Sequence, residues 1–299
     1  MKILISGGNG QLGRDCAERF SRNHQVVACN STAFDITDPA QARAVFTKHT
    51  PDVLVNCAAY TAVDRCEEDG TRCRVVNSTG PAVLAHQCAE TGCRLIHIST
   101  DYVFDGKKKI PGPYTEDTAT CPLSVYGTSK LAGEQAITEE LKNHLIIRTA
   151  WLYGMGGTNF LKTMLRLAIN KPNQPIKVVN DQFGSLTWSN RLAEQIEQLL
   201  DGTLTGIVHA TAEGFSSWYE GAVFFLQAMG VQTEIIPCST TEYPTPAHRP
   251  ANSILDNRRL KQAGLNLMVP WRQDVETFAL ENREALLEEA RAQVQRLRV

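Results

Sequence analysis

At 299 residues the chain is long enough for one large α/β unit or two modest ones. Its 42% hydrophobic and 21% charged residues are the make-up of a soluble globular protein. With 30 basic side chains against 32 acidic ones it offers no basic field for nucleic acid, and no window approaches the roughly 18 apolar residues of a membrane span.

The first residues, MKILISGGNG, reach glycine after a short apolar run, so they read as a buried strand and not as a signal peptide. Further strand candidates follow at QVVAC, DVLVNCA, RLIHIS and HLIIRTA, with helical patterns near 11–23, 39–49, 71–91 and 124–143. Apolar strands alternating with helices predict an α/β fold built on a doubly wound parallel sheet of the Rossmann type. Right-handed crossovers then gather the C-terminal strand ends along one edge, where ligands bind.

After Trp151 the pattern changes. Gly154, Gly156 and Gly157 interrupt the chain, and NFLKTMLRLAI reads as a helix. IKVV, GIVHAT and VQTEIIP read as strands, and residues 239–253 (STTEYPTPAHRPANS) as an ordered loop over a site or a solvated connection. Residues 277–299 read as one terminal amphipathic helix. The expected division is a dinucleotide-binding unit over 1–150, with return segments near 176–205, and a smaller substrate unit drawn mainly from 151–299.

Nine cysteines, an odd number without C-x-x-C spacing, argue against a zinc site or a disulfide framework. They read as reduced thiols of a cytoplasmic protein, used mostly as small buried groups, with Cys121 nearer the surface.

The segment ILISGGNGQLG sets Gly7, Gly8, Gly10 and Gly13 between a strand and a helix. It supplies a tight turn, room for a pyrophosphate, and a helix N-terminus whose N–H groups face the phosphates. Gln11 and Leu12 belong to the same turn. The second strand ends at Asn30 and Ser31 with no acid until Asp35, so a 2′-phosphate meets no repulsion and no waiting arginine. NADPH and NADH both stay open. Asp35 and Ile36 are placed beside the adenine, Cys57, Ala58, Ala59 and Tyr60 beside the middle of the cofactor, and Ile98 near it on the fourth strand.

Thr100 and Asp101 end that fourth strand, where a hydroxyl can donate to a carbonyl oxygen. Tyr126 and Lys130 share a helix face one turn apart. A phenol is a poor acid near neutrality unless tuned, and a neighbouring ammonium lowers its pKa. Together the three side chains suit carbonyl reduction: hydride arrives at carbon and Tyr126 supplies the proton. His97, in the middle of LIHIS, reads as a packed histidine.

Gly7-x-x-Gly10-x-x-Gly13, STD and Tyr126-x-x-x-Lys130, in this order, resemble the extended short-chain dehydrogenase/reductase family. VNCAAYTAVDRCE, STDYVFDG, VYGTSKLAGE, IIRTAWLYG, DQFGSLTW and HRPANSILDNRRL are similar to its dTDP-4-dehydrorhamnose reductase branch, over about residues 1–280. The resemblance implies reduction of the 4-keto group of dTDP-4-dehydro-6-deoxy-L-mannose. Thr100, Tyr126 and Lys130 would be catalytic, with Lys130 also holding the cofactor.

Val63, Asp64 and Asp101 would line the sugar pocket, and Trp151 would pack on the sugar or fill a domain junction. Asn159 would hold the diphosphate or nucleoside. Arg249 would offset the diphosphate charge or form a loop salt bridge. Asp101 is followed by Tyr102 and not by glutamate, which disfavours a sugar-nucleotide 4,6-dehydratase. A 4-epimerase and a non-enzymatic binding protein, like the regulatory subunit of methionine adenosyltransferase, are the alternatives.

Two positions depart from the family pattern. Leu186 stands where proline is usual, and the positions matching a bacterial Mg²⁺ site are Asp15, Asn190 and Glu281. A neutral Asn190 makes Mg²⁺ doubtful, since hard cations prefer carboxylate oxygen. No metal is expected, and monomer and homodimer are equally compatible.

Overall fold

The computed structural model describes residues 1–172, 174–202 and 204–296. Its first half alternates strands β1 (Lys2–Ser6), β2 (Gln25–Cys29), β3 (Val53–Asn56), β4 (Arg94–Thr100) and β5 (His144–Thr149) with helices. These helices are α1 (Gln11–Phe20), α2 (Pro39–His49), α3 (Val63–Glu68), α4 (Gly70–Arg74), α5 (Gly80–Thr91) and α6 (Val125–Glu140).

The sequence reads residues 71–91 as one helical pattern. The chain instead divides it into α4, a π-helical turn at Val75–Thr79, and α5. A π turn of this kind inserts a residue and turns a side chain inward. Here Asn77 is buried and clamps the backbone of Tyr60, accepting from its N–H at 2.8 Å and donating to its C=O at 3.0 Å.

The second half adds β6 (Leu152–Tyr153), α7 (Phe160–Asn170), β7 (Ile176–Val179), β8 (Phe183–Gly184), β9 (Thr187–Trp188), α8 (Ser189–Gln198) and β10 (Gly206–His209). Beyond these come β11 (Ser216–Ser217), α9 (Trp218–Ala228), β12 (Ile235–Cys238), β13 (Asn252–Ser253), α10 (Arg258–Gln262), α11 (Trp271–Glu281) and α12 (Arg283–Arg296). The expected single terminal helix is two, broken at Asn282, and its last three residues lie outside those described.

Six strands form one parallel sheet in the order β10-β5-β4-β3-β1-β2. Alternation along its strands covers both faces. Ile3, Ile5, Val55, Ile96 and Ile147 meet α1 and α8 on one side. Leu4, Leu54, Leu95 and Ile146 meet α2, α5 and α6 on the other.

The expected return segment near 176–205 is corrected in part. Ile176–Val179 pairs with Ile235–Cys238 outside the large sheet, and α8 with β10 makes the return. The reason lies in β7 itself. It buries Ile176 and Val178 and exposes Lys177, so only one face can be covered. A second core gathers around Leu161, Leu165, Phe225, Trp271 and Phe278, drawn from the second half of the chain.

Candidate active site

A cleft of about 1050 Å³ runs along the C-terminal ends of β3, β4 and β5 and out past α7 and Trp218. This is the edge at which a doubly wound sheet receives ligands.

At its inner end lies the glycine turn. Gly7 holds φ at +70°, and a Cβ there would stand 2.7 Å from the Ala58 nitrogen. A Cβ on Gly13 would run into the Gly7 carbonyl oxygen. The α1 N-terminus has no side-chain cap and no acidic residue in its first turn, so its N–H groups face the cleft unspent. This cradle fits a pyrophosphate group held by backbone.

Of the cofactor positions expected from sequence, Gly10, Gln11, Leu12, Gly13, Cys57, Ala59, Ile98, Tyr126 and Lys130 line the cleft. Gly7 and Ala58 form the backbone beneath it. Others are turned elsewhere. Ile36 is buried in the core against Gly80. The Asp35 carboxylate takes the N–H and hydroxyl of Thr37, and the Asn30 side-chain oxygen takes the N–H groups of Thr32 and Ala33. Both polar groups brace their own loop, as short Asx side chains do. Tyr60 turns its ring toward Arg72.

Thr100, Asp101, Tyr126 and Lys130 converge on the cleft, and all four are buried. The Thr100 hydroxyl donates to Asp101 at 3.0 Å and accepts from the Tyr102 N–H. Burial pushes the Asp101 carboxyl up to about 6, against the hydrogen bond from Thr100.

Burial also drives the Tyr126 phenol well above its ordinary value, with a Thr100 hydrogen bond opposing and Asp101, Tyr102 and Cys66 adding to the rise. The Lys130 amine, expected to lower the phenol, is turned to other partners in the cofactor-free chain. Its Nζ donates to the Ile98 carbonyl at 2.7 Å and lies 3.1 Å from His97 Nε2. Burial lowers Lys130 to about 8, opposed by Glu134, Cys73 and Cys57.

Val63, Trp151 and Arg249 also line the cleft. Trp151 does not present a free face on both sides, because Trp218 stacks on it. Arg249 bonds Asp64 at 2.7 Å and the Tyr102 hydroxyl at 3.1 Å, so it forms the loop salt bridge while facing the cleft. Asp64 also accepts the Ala247 N–H, which straps the 239–253 loop to α3.

Asn159 is not brought to the cleft wall. It caps α7 through Lys162 N–H and donates to Gln11 and to the Gly154 carbonyl, so its groups are spent on the junction. Asp15 receives the Ser189 hydroxyl. Among the described residues no cluster of three or more His, Cys, Asp or Glu side chains could hold a metal.

Sequence reasoning missed Tyr102, Phe160, Gln182, Trp218, Tyr243 and Ser253, all of which face the cleft. One signal for Trp218 was available: Ser217-x-x-Glu220 is a complete capping box, which marks Trp218 as the first residue of a helix. The nine thiols are all free; Cys121 is exposed and seven others are buried.

Comparison with known proteins supplies the rest. The chain is 39% identical over 289 residues to a dTDP-4-dehydrorhamnose reductase of Burkholderia thailandensis, spanning 91% of this chain and 96% of the relative. It is 38% identical to the spore coat polysaccharide biosynthesis protein SpsK of Bacillus subtilis, spanning 95% and 99%. The dTDP-4-dehydrorhamnose reductase of Bacillus anthracis, solved in complex with NADP, superposes with a TM-score of 0.90 at 36% identity, covering 94% of this chain and 99% of that one. The family model described as the RmlD substrate binding domain matches residues 1–283. A match of that extent, on a chain whose glycine cradle and Thr-Tyr-Lys cluster meet in one cleft, makes this protein a member of the RmlD substrate binding domain family.

Proposed function

We propose that this chain reduces the 4-keto group of dTDP-4-dehydro-6-deoxy-L-mannose to give dTDP-L-rhamnose, with NADPH or NADH as reductant. The observation that carries the reading is the meeting of Thr100, Tyr126 and Lys130 at the strand ends beside an uncapped, glycine-built helix N-terminus. In this reading Gly10, Gln11, Leu12 and Gly13 hold the cofactor diphosphate, and Cys57, Ala59 and Ile98 pack along its middle. When bound, the nicotinamide supplies hydride to the carbonyl carbon.

The chain's own residues handle the oxygen. Burial keeps the Tyr126 phenol protonated across the physiological range, which is the form a proton donor needs. Thr100 turns its hydroxyl proton from Asp101 to the carbonyl oxygen and so stabilises charge as it develops there. Lys130 sits one turn along the helix, with its amine deep in the cleft, and orients cofactor and phenol. Residues 1–150, with α8 and β10, act as the cofactor unit.

The rest of the chain receives the sugar nucleotide. Trp151 and Trp218 wall the sugar, and Arg249 faces the diphosphate. The free thiols suit a reducing cytoplasm, and the reading asks for no metal and works in a monomer or a homodimer.

The test is NAD(P)H oxidation with dTDP-4-dehydro-6-deoxy-L-mannose, product identified by mass spectrometry, for wild type and Tyr126→Phe. Wild type turns over, and the variant loses about 10²–10⁴-fold in kcat. A wild type inert toward authentic substrate removes the enzymatic reading. A fully active Tyr126→Phe removes Tyr126 as the proton donor.

A further inference from the structure

His97 is wholly buried in β4, directly across from Asn56 in β3, and plays no part in the mechanism above. It lies in a chain of four buried side chains: Ser6, Asn56, His97 and Lys130. The direction of the first links is set by the backbone. The Asn56 side-chain oxygen accepts the Ala58 N–H at 3.1 Å and the Ser6 hydroxyl at 2.7 Å. A backbone N–H can only donate, so the oxygen of this amide must face Ala58, and its nitrogen must face His97 Nδ1 at 2.9 Å.

An amide nitrogen also only donates. Nδ1 is therefore the bare nitrogen of the ring, and a neutral His97 carries its proton on Nε2. That nitrogen lies 3.1 Å from Lys130 Nζ. An N–H facing an ammonium would set donor against donor between two buried side chains, whereas an N–H facing an amine makes a hydrogen bond. The amine still has hydrogens to donate to the Ile98 carbonyl at 2.7 Å.

We propose that His97 is a positioning residue: locked by Asn56 as the tautomer protonated on Nε2, it donates to Lys130 and favours the amine form of that lysine in the cofactor-free protein. This rests on the reading of Lys130 as a residue of the reductase site.

The other groups around the amine act against His97 and do not explain a lysine that gives up its proton more readily than usual. Glu134 from α6 is already held by Arg148 of β5, and with Cys73 of α4 and Cys57 beyond β3 it favours the charged form. Burial favours the amine, as it does for the lowered lysine, and burial also disfavours a charged His97.

The experiment uses the full chain, free of cofactor, with ¹⁵N-labelled histidine; the His97 signals are assigned by their loss in His97→Gln. A protonated Nε2 and a bare Nδ1 are expected, and a bare Nε2 overturns the proposal with no variant needed. In parallel, the Lys130 ε-carbon is titrated by NMR, assigned with Lys130→Met. In Asn56→Asp a carboxylate accepts from Nδ1–H, the tautomer reverses, and Nε2 becomes an acceptor for the ammonium. The Lys130 midpoint should then rise by about one pH unit or more.

A folded Asn56→Asp with reversed tautomer and an unmoved Lys130 midpoint also overturns it. Reductase turnover of Lys130→Met separates the two readings. If Lys130→Met is inactive while Nε2 is bare, only the role of His97 falls. If Lys130→Met turns over like wild type, the catalytic reading of Lys130 falls and the positioning role falls with it.

Discussion

The indole of Trp151 lies flat on that of Trp218, with ring centroids 3.5 Å apart and planes 9° from parallel. Trp151 reaches this position with φ at 50°, a left-handed backbone that costs a bulky residue on the order of 1–3 kcal/mol. Gly184 makes the room: a Cβ there would stand 2.5 Å from the indole Cε2. Gly184→Ala should displace the indole and raise KM for the sugar nucleotide roughly tenfold, while the NADPH Kd stays at its wild-type value. Equal losses in both constants would mean that the stack supports the fold and not the substrate wall.

The glycine cradle gives a second prediction. Because a Cβ on Gly13 meets the Gly7 carbonyl, Gly13→Ala must move the turn or the helix that bears the free N–H groups. A ligand at a hundred times its Kd stabilises a folded protein by about 2.7 kcal/mol. Wild type should show the matching rise in Tm with NADPH, and Gly13→Ala should show almost none. A full NADPH-induced shift in the variant would place the diphosphate elsewhere.

Beneath the strand ends that border the cleft, Arg148 grips Glu134 with both side chains 3% exposed, and Ser99 donates to the same carboxylate. Removing one member of such a pair strands a buried charge and costs about 3–5 kcal/mol, whereas removing both with apolar replacements costs less. Urea unfolding should therefore find Arg148→Met less stable than Arg148→Met/Glu134→Leu. The reverse order would show that the pair is worth more than its desolvation.

Asp101 predicts a pH effect with a definite sign. Its folded carboxyl keeps a proton up to about 6, against 3.8 for the ordinary group, because it is buried. Between those values the folded state binds more protons than the unfolded one, so stability falls as pH rises. Asp101→Asn removes this dependence. The stability of wild type relative to the variant should decline from pH 4 to pH 6.5, by at most about 3 kcal/mol. A difference that grows with pH would mean that the carboxylate, and not the acid, is the favoured buried form.

The amino-acid sequence by itself determined the parallel sheet of the first half and the residue types that stand at its strand ends. Runs such as KILIS and RLIHIS between amphipathic helices leave a two-sided parallel sheet as the natural solution. The glycine spacing, Thr100 at a strand end and Tyr126 one turn before Lys130 are local features, set within a strand or a helical turn. Tertiary structure decided whatever depends on separate segments meeting.

Strands of two residues, such as Phe183–Gly184 and Ser216–Ser217, are too short to carry a period, so the wall that brings Gln182 and Ser253 to the cleft left no pattern to read. Asn159 carries the same amide whether it binds ligand or caps a helix, and only the fold spends it on Lys162 and Gln11. Tyr126 and Lys130 show the same division. Their spacing was legible, but the partner of Lys130 was not, because His97 lies 33 residues away and the two meet only when α6 packs against β4.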